Sequence, residues 1–162
     1  MNVAIEIIRD EHRSLSAILN SLQTQVEAAC SGSSEPDFFL FSAMLDYIEA
    51  FPERQHHPKE DQFLFRFLRQ RTDRADTVLD ELERQHRQSR DELRALRSAL
   101  QAWREGGSAD DFAEAFDGYI RFHWDHMQQE ENIVLPLAEE CLSAEDWRII
   151  EAAFEANRAP DW

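Results

Sequence analysis

Four of the six histidines in this 162-residue chain fall into a repeated pattern. His56-His-Pro-Lys-Glu60 and His126-Met-Gln-Gln-Glu130 both read His-x-x-x-Glu, and each is followed by an acid, an amide and an apolar run. Residues four apart project from one face of a helix. His56 with Glu60, and His126 with Glu130, can therefore each aim an imidazole and a carboxylate at one point. Upstream of each pair a single histidine interrupts an apolar stripe, His12 between Ile8 and Leu15 and His86 after Leu82. Packed together, these residues supply four nitrogen donors and two carboxylates able to bridge two cations. Imidazole with carboxylate suits iron, manganese or zinc, and disfavours metals that prefer thiolate. Two buried carboxylates beside four imidazoles would cost several kcal/mol without neutralisation. A bound metal supplies it directly; a hydrogen-bonded, proton-linked polar core is the alternative.

Other residues share the pattern less completely. His57 pairs with Asp61 at the same spacing, so a register shifted by one residue would make His57 the donor. His56 is preferred because Glu60, Phe63 and Phe67 then align with Glu130, Ile133 and Leu137. Tyr119, His123, His126 and Glu130 form one continuous helical stripe. His123 is thus a candidate fifth nitrogen donor, and Tyr119 could donate a hydrogen bond to a bound small molecule. The repeat sets Glu49 and Glu53 opposite Tyr119 and His123, where ordinary exposure or salt bridging is expected of both.

These residues need helices to position them. Ile5, Ile8, Leu15, Leu19, Leu22 and Val26 make the apolar stripe of a first amphipathic helix, ending near Ser31-Gly-Ser-Ser34. A second spans about Asp37 to Gln70, with Pro52 and Pro58 expected to kink or redirect it. The third spans about Asp73 to Arg104 and stops at Gly106-Gly107. Ser108-Ala-Asp-Asp111 resembles a capping box with Asp in place of Glu and opens the fourth. Ser143-Ala-Glu-Asp146 opens a short fifth helix, expected to end before Ala159-Pro160 and to cover one end. Short connections between long amphipathic segments predict an all-α, antiparallel up-down-up-down four-helix bundle, with residues 1–162 forming one domain.

Composition narrows the function classes. With 33 acidic against 17 basic residues the net charge is -16, which repels a phosphate backbone and argues against nucleic acid as a partner. No stretch approaches the roughly 20 apolar residues of a membrane span, so no membrane partner is expected. The two cysteines, Cys30 and Cys141, lie far apart with no CxxC, and a reducing, cytoplasmic setting fits. No tail, basic patch or long linker points to a protein partner.

The ordered set of His12, His56-x-x-x-Glu60, His86 and His126-x-x-x-Glu130, with Glu130-Glu131 and Leu135-Pro136 following, resembles the hemerythrin-like HHE cation-binding domains across nearly the whole chain. The resemblance implies a non-haem di-iron centre with an oxo or hydroxo bridge. Glu60 and Glu130 would bridge, and His12, His56, His86 and His126 would be terminal ligands. It implies a role with dioxygen, nitric oxide, peroxide, iron sensing or iron-sulfur cluster repair, as carrier, sensor or enzyme. A structural metal in an interaction module is the remaining reading. Oxygen-carrying hemerythrins look richer in histidine on the third helix, where this chain has only His86. That shortage argues for open metal positions and against reversible oxygen carriage.

Overall fold

The computed structural model describes residues 2–158, and among these all regular structure is helical, with no strand. The first helix, α1, is Val3–Cys30, its N-terminus capped by Asn2, whose side chain accepts from the Ile5 amide. The second, α2, covers residues 38–71 and is capped by Asp37. The third, α3, is Asp76–Arg104. The fourth, α4, covers residues 109–141 with Ser108 at its cap. The fifth, α5, is Ala144–Glu155 and runs on into a 3-10 turn, Ala156–Arg158. The expected stop at Ala159-Pro160 lies outside the described residues.

Gly106 ends α3 at a φ of +99°, a backbone conformation open to glycine and costly for a side chain, and Gly107 donates back to the Ala102 carbonyl at 2.8 Å. Ser108 accepts from the Asp111 amide, and the full reciprocal capping box is formed at the fifth helix, between Ser143 and Asp146.

Side chains sort along the bundle as an antiparallel arrangement requires. One apolar cluster joins Ile5, Ile8, Leu64, Phe65, Leu79, Leu82, Val134 and Leu135, with Ile150 and Phe154 of α5. A second joins Leu15, Leu19, Phe41, Leu45, Leu93, Leu96, Phe112 and Phe116. The early half of α1 thus meets the late half of α2, and α3 and α4 repeat the relation. α1 packs on α2 and α4, and α3 packs on the same two helices, closing the ring. Between the clusters each of the four long helices contributes polar residues: His12, then His56, His57 and Glu60, then His86, then His126 and Glu130.

The second and fourth helices do not break at their prolines. α2 instead widens into π turns over Glu49–His56 and Glu60–Phe65, and α4 over Glu130–Val134. The His57 amide donates to the Pro52 carbonyl and the Leu135 amide to the Glu130 carbonyl, each five residues back. Pro58 and Pro136 have no amide hydrogen to lose. The backbone is carried past them in helical form, locally redirected through the π turns.

α5 docks through Asp146. Its carboxylate accepts from Arg71 Nε at 2.7 Å and Nη2 at 3.1 Å, and from the Ser143 amide at 3.0 Å. The Arg71 hydrogen bond holds the Asp146 carboxyl down at about 2, against an ordinary 3.8, despite its burial. Because the folded value lies below the unfolded one, the contribution is complete above about 3.8 and is lost as pH falls toward about 2. Asp146→Ala should therefore cost about 1 kcal/mol at neutral pH, since it removes the N3 half of the capping box and the Arg71 hydrogen bonds. Urea denaturation of variant and wild type across a pH series should show the difference shrinking through that acid window.

Candidate metal centre

The polar residues between the two apolar clusters converge into two groups that share one carboxylate. His12, His56, Glu60 and Glu130 bring one donor atom each within 4.8 Å of one another; His57, Glu60, His86 and His126 do the same. All seven side chains are buried, with Glu60 0% and Glu130 1% exposed. The oxygens of each glutamate divide between the groups. Glu60 Oε1 lies 2.7 Å from His56 Nε2 and 3.7 Å from His12 Nε2, while its Oε2 lies 3.1 Å from His86 Nε2. Glu130 Oε2 lies 3.2 Å from His12 Nε2, while its Oε1 meets His126 Nε2 and lies 3.7 Å from His86 Nε2.

None of these four carboxylate oxygens makes a well-formed hydrogen bond, and neither does Nε2 of His12 or His56. Buried charge left so costs several kcal/mol. In the second group the Nε2 atoms of His86 and His126 face each other at 3.0 Å. Two nitrogens bound about 2.1 Å from one ion at a right angle would stand about 3 Å apart. The unpaired oxygens and the facing nitrogens fit metal cations.

Each of four rings is held from behind. His12 Nδ1 donates to Glu131 at 2.9 Å, His56 Nδ1 to Glu11 at 3.0 Å, His86 Nδ1 to Asp61 at 2.7 Å and His126 Nδ1 to Gln85 at 2.8 Å. The partners offer only oxygen acceptors here, so Nδ1 carries the proton and Nε2 is turned to the centre, as metal-binding histidines require. The outer partners repeat with the hairpins. Glu11 precedes His12 as Gln85 precedes His86, and Asp61 follows Glu60 as Glu131 follows Glu130. Glu11 is in turn fixed by Asn157, whose Nδ2 donates to both its oxygens at 2.9 and 3.2 Å, so the segment after α5 braces the ring of His56.

The electrostatics follow the same division. Burial pushes the His12, His56 and His86 imidazoles down, but the surrounding carboxylates outweigh it and raise all three, His56 to about 9. Burial pushes Glu60 and Glu130 up, with repulsion from Glu130 adding to the rise at Glu60, and the imidazoles hold both below the usual carboxylate range. His57 is lowered, by burial and then by the neighbouring histidines.

The structure brings both His56 and His57 to the centre, His56 into the first group and His57 into the second. Successive α-helical residues diverge by about 100°, and a π turn, with an extra residue, diverges less. The winding around residues 49–65 turns both rings inward. Five imidazoles therefore line the groups rather than four, and His57 from α2 makes up for the single histidine of α3.

His123 stands outside both groups. Its Nε2 donates to Ser89 Oγ at 3.0 Å, and Ser89 donates to Glu53. Glu53, expected at the surface, is 5% exposed, and its free Oε2 lies 3.6 Å from His57 Nδ1. Burial pushes the Glu53 carboxyl up to about 7 and the His123 imidazole down to about 3. Tyr119 is buried with its ring 4.3 Å from that of His123 and its hydroxyl unpaired. Glu49 is salt-bridged to Arg97 at 2.9 Å. Ser89 was invisible to the sequence reading, since a lone serine in a helix signals nothing; its only sign is that the repeat sets it opposite the apolar Leu15.

An all-α bundle enclosing groups of imidazole and carboxylate donors that could hold metal ions belongs to the class of helical-bundle cation-binding domains. The family model described as hemerythrin HHE cation binding domain matches residues 3–138. The chain belongs to that family. No curated protein and no solved structure matched it.

Ser89 satisfies two buried groups at once, so Ser89→Ala should lower stability by about 1–3 kcal/mol. Ser98→Ala, on an exposed position of the same helix, should change it by less than about 0.5 kcal/mol. Urea denaturation of the two variants checks the contrast.

Proposed function

We propose that this chain is a non-haem di-iron protein that binds a small diatomic ligand or peroxide in an oxygen, nitric oxide or redox response. The observation that carries the reading is the division of the Glu60 and Glu130 oxygens between two groups of imidazoles. Nitrogen and oxygen donors with no thiolate suit iron, manganese or zinc alike, and iron is the choice that the resemblance to the hemerythrin-like domains implies. When bound, the irons would supply a redox couple and Lewis-acidic positions for a small ligand. The chain's own residues do the rest. Glu60 and Glu130 span the two positions, the five imidazoles complete them, and the outer acceptors keep each tethered Nε2 turned inward. The apolar clusters above and below exclude water.

With His57 in the second group, the scarcity of histidine on α3 no longer argues against oxygen carriage. The two positions also differ, two imidazoles serving the first and three the second. Catalysis is the second reading, favoured by Glu53, Ser89, His123 and Tyr119, a buried file of groups that hold or pass protons beside the second group. Both free cysteines suit a reducing cytoplasm.

Anaerobic titration with ferrous iron should reach a break at about two ions per chain. Exposure to air should then produce near-ultraviolet absorption that shifts with azide or nitric oxide. A break at zero or one ion would contradict the reading. Gln85→Leu, which removes the acceptor behind His126, should weaken metal binding 10- to 100-fold, as loss of such a partner does, whereas Gln85→Glu should retain it. Competition with a chromogenic chelator measures both.

A further inference from the structure

The two hairpins hold their outer acceptors in different ways. Behind His126, Gln85 is anchored on its own helix, its Nε2 donating to Glu81 Oε1 at 3.1 Å, one turn back. Behind His56 the corresponding acceptor is Glu11, and the residue one turn back on α1 is Ile7, buried and apolar. The repeat thus leaves Glu11 without the intrahelical partner that Gln85 has. A glutamate side chain has several rotamers to lose, and a single hydrogen bond is a weak hold on it.

The last described segment supplies the missing partner. Asn157, in the turn after α5, donates from Nδ2 to both Glu11 oxygens at 2.9 and 3.2 Å, the nearer being the oxygen that accepts from His56 Nδ1. On its other side, Asn157 Oδ1 accepts from Lys59 Nζ of α2. An ammonium only donates and a carboxylate only accepts, so these two neighbours fix which way the amide faces. Phe154 sets its ring edge-on to that of His56, with centroids 6.0 Å apart, and joins Ile150 in seating α5 in the apolar cluster. Arg158 adds an exposed ion pair to Asp10 at 3.0 Å. Both α5 and Asn157 lie beyond residues 3–138, the stretch matched to the family.

The brace bears on one group only. His56 and His12 are the two imidazoles of the first group, whereas the second has three. An imidazole that loses the acceptor behind it loses its fixed tautomer and orientation, and the first group has fewer donors to spare.

We infer that Asn157 is a positioning residue for the first metal position, acting through Glu11 and His56, so that docking of α5 and metal uptake at that position reinforce each other. This rests on the metal-centre reading above. The coupling is reciprocal: the factor in affinity that the docked segment gives the ion is the factor that the ion returns to docking.

Asn157→Asp separates positioning from packing. It keeps the shape of the side chain and an oxygen for Lys59, but puts a carboxylate where Glu11 needs a donor. A residue that only seated the end of α5 would tolerate the change. Ferrous iron is titrated anaerobically, in competition with a chromogenic chelator, into wild type, Asn157→Asp, Arg158→Ala and a double variant of Asn157→Asp with Gln85→Leu. In Asn157→Asp one of the two ions should bind about tenfold more weakly, the low end of what loss of an outer partner costs. Arg158→Ala removes only an exposed ion pair of the same turn and should match wild type. The double variant should weaken both ions, because Gln85 serves the second group. Iron should also slow amide hydrogen exchange across Ala144–Glu155 about tenfold in the wild type, by the same reciprocity, and Asn157→Asp should lose most of that protection. Wild-type affinity for both ions in Asn157→Asp, an equal loss in Arg158→Ala, one ion at full affinity in the double variant, or exchange in α5 indifferent to iron would each overturn the brace alone. A wild type that takes up no iron would overturn the metal-centre reading and the brace with it.

Discussion

Two carboxylates at the centre of a helical bundle, almost wholly out of water, are the constraint to which the rest of this structure answers. Each of the four long helices interrupts its apolar stripe at the same level to supply something that neutralises or orients Glu60 and Glu130. The imidazoles face them through Nε2, and a further ring of acceptors takes the Nδ1 protons. The two carboxylates raise the proton affinity of the His12, His56 and His86 imidazoles that face them. Cations would compete with protons there, which couples metal binding to pH.

Such a centre weakens the middle of the bundle, and the two apolar clusters compensate from either side. Tyr119, Phe112 and Phe116 pack beyond one face of the polar layer, while Phe65, Ile8 and Phe154 close the other. The fifth helix serves both layers. Its Ile150 and Phe154 finish the apolar cluster, and the segment after it carries Asn157 to the carboxylate behind His56. Stability at the end of the chain and orientation at the centre are therefore linked through one side chain.

Much of this was legible in the sequence. The two His-x-x-x-Glu segments and the lone histidines of α1 and α3 state which residues face one another, because spacing of four on a helix is a geometric rule. Glycines after α3 and serines before α4 and α5 mark boundaries by their backbone chemistry. What was not legible depended on winding and on depth. Nothing in Glu49–His56 announces hydrogen bonds to the fifth residue, so the sequence reading had to choose between His56 and His57, whereas the π turns admit both. Glu53 reads as a surface acid until the neighbouring Ser89 and His123 are seen to enclose it. The outer acceptors were readable in principle: each sits directly beside a central residue in the sequence, and the twofold repeat of the hairpins predicts Gln85 from Glu11.

The most direct test of the central claim is anomalous diffraction from crystals of iron-loaded protein, collected on both sides of the iron absorption edge. Two separate iron peaks are predicted, one among His12, His56, Glu60 and Glu130, and one among His57, His86, His126, Glu60 and Glu130. Iron absent from the bundle core, or bound by surface carboxylates instead, would mean that the buried histidines and glutamates are a proton-linked polar core and that the metal-centre account is wrong.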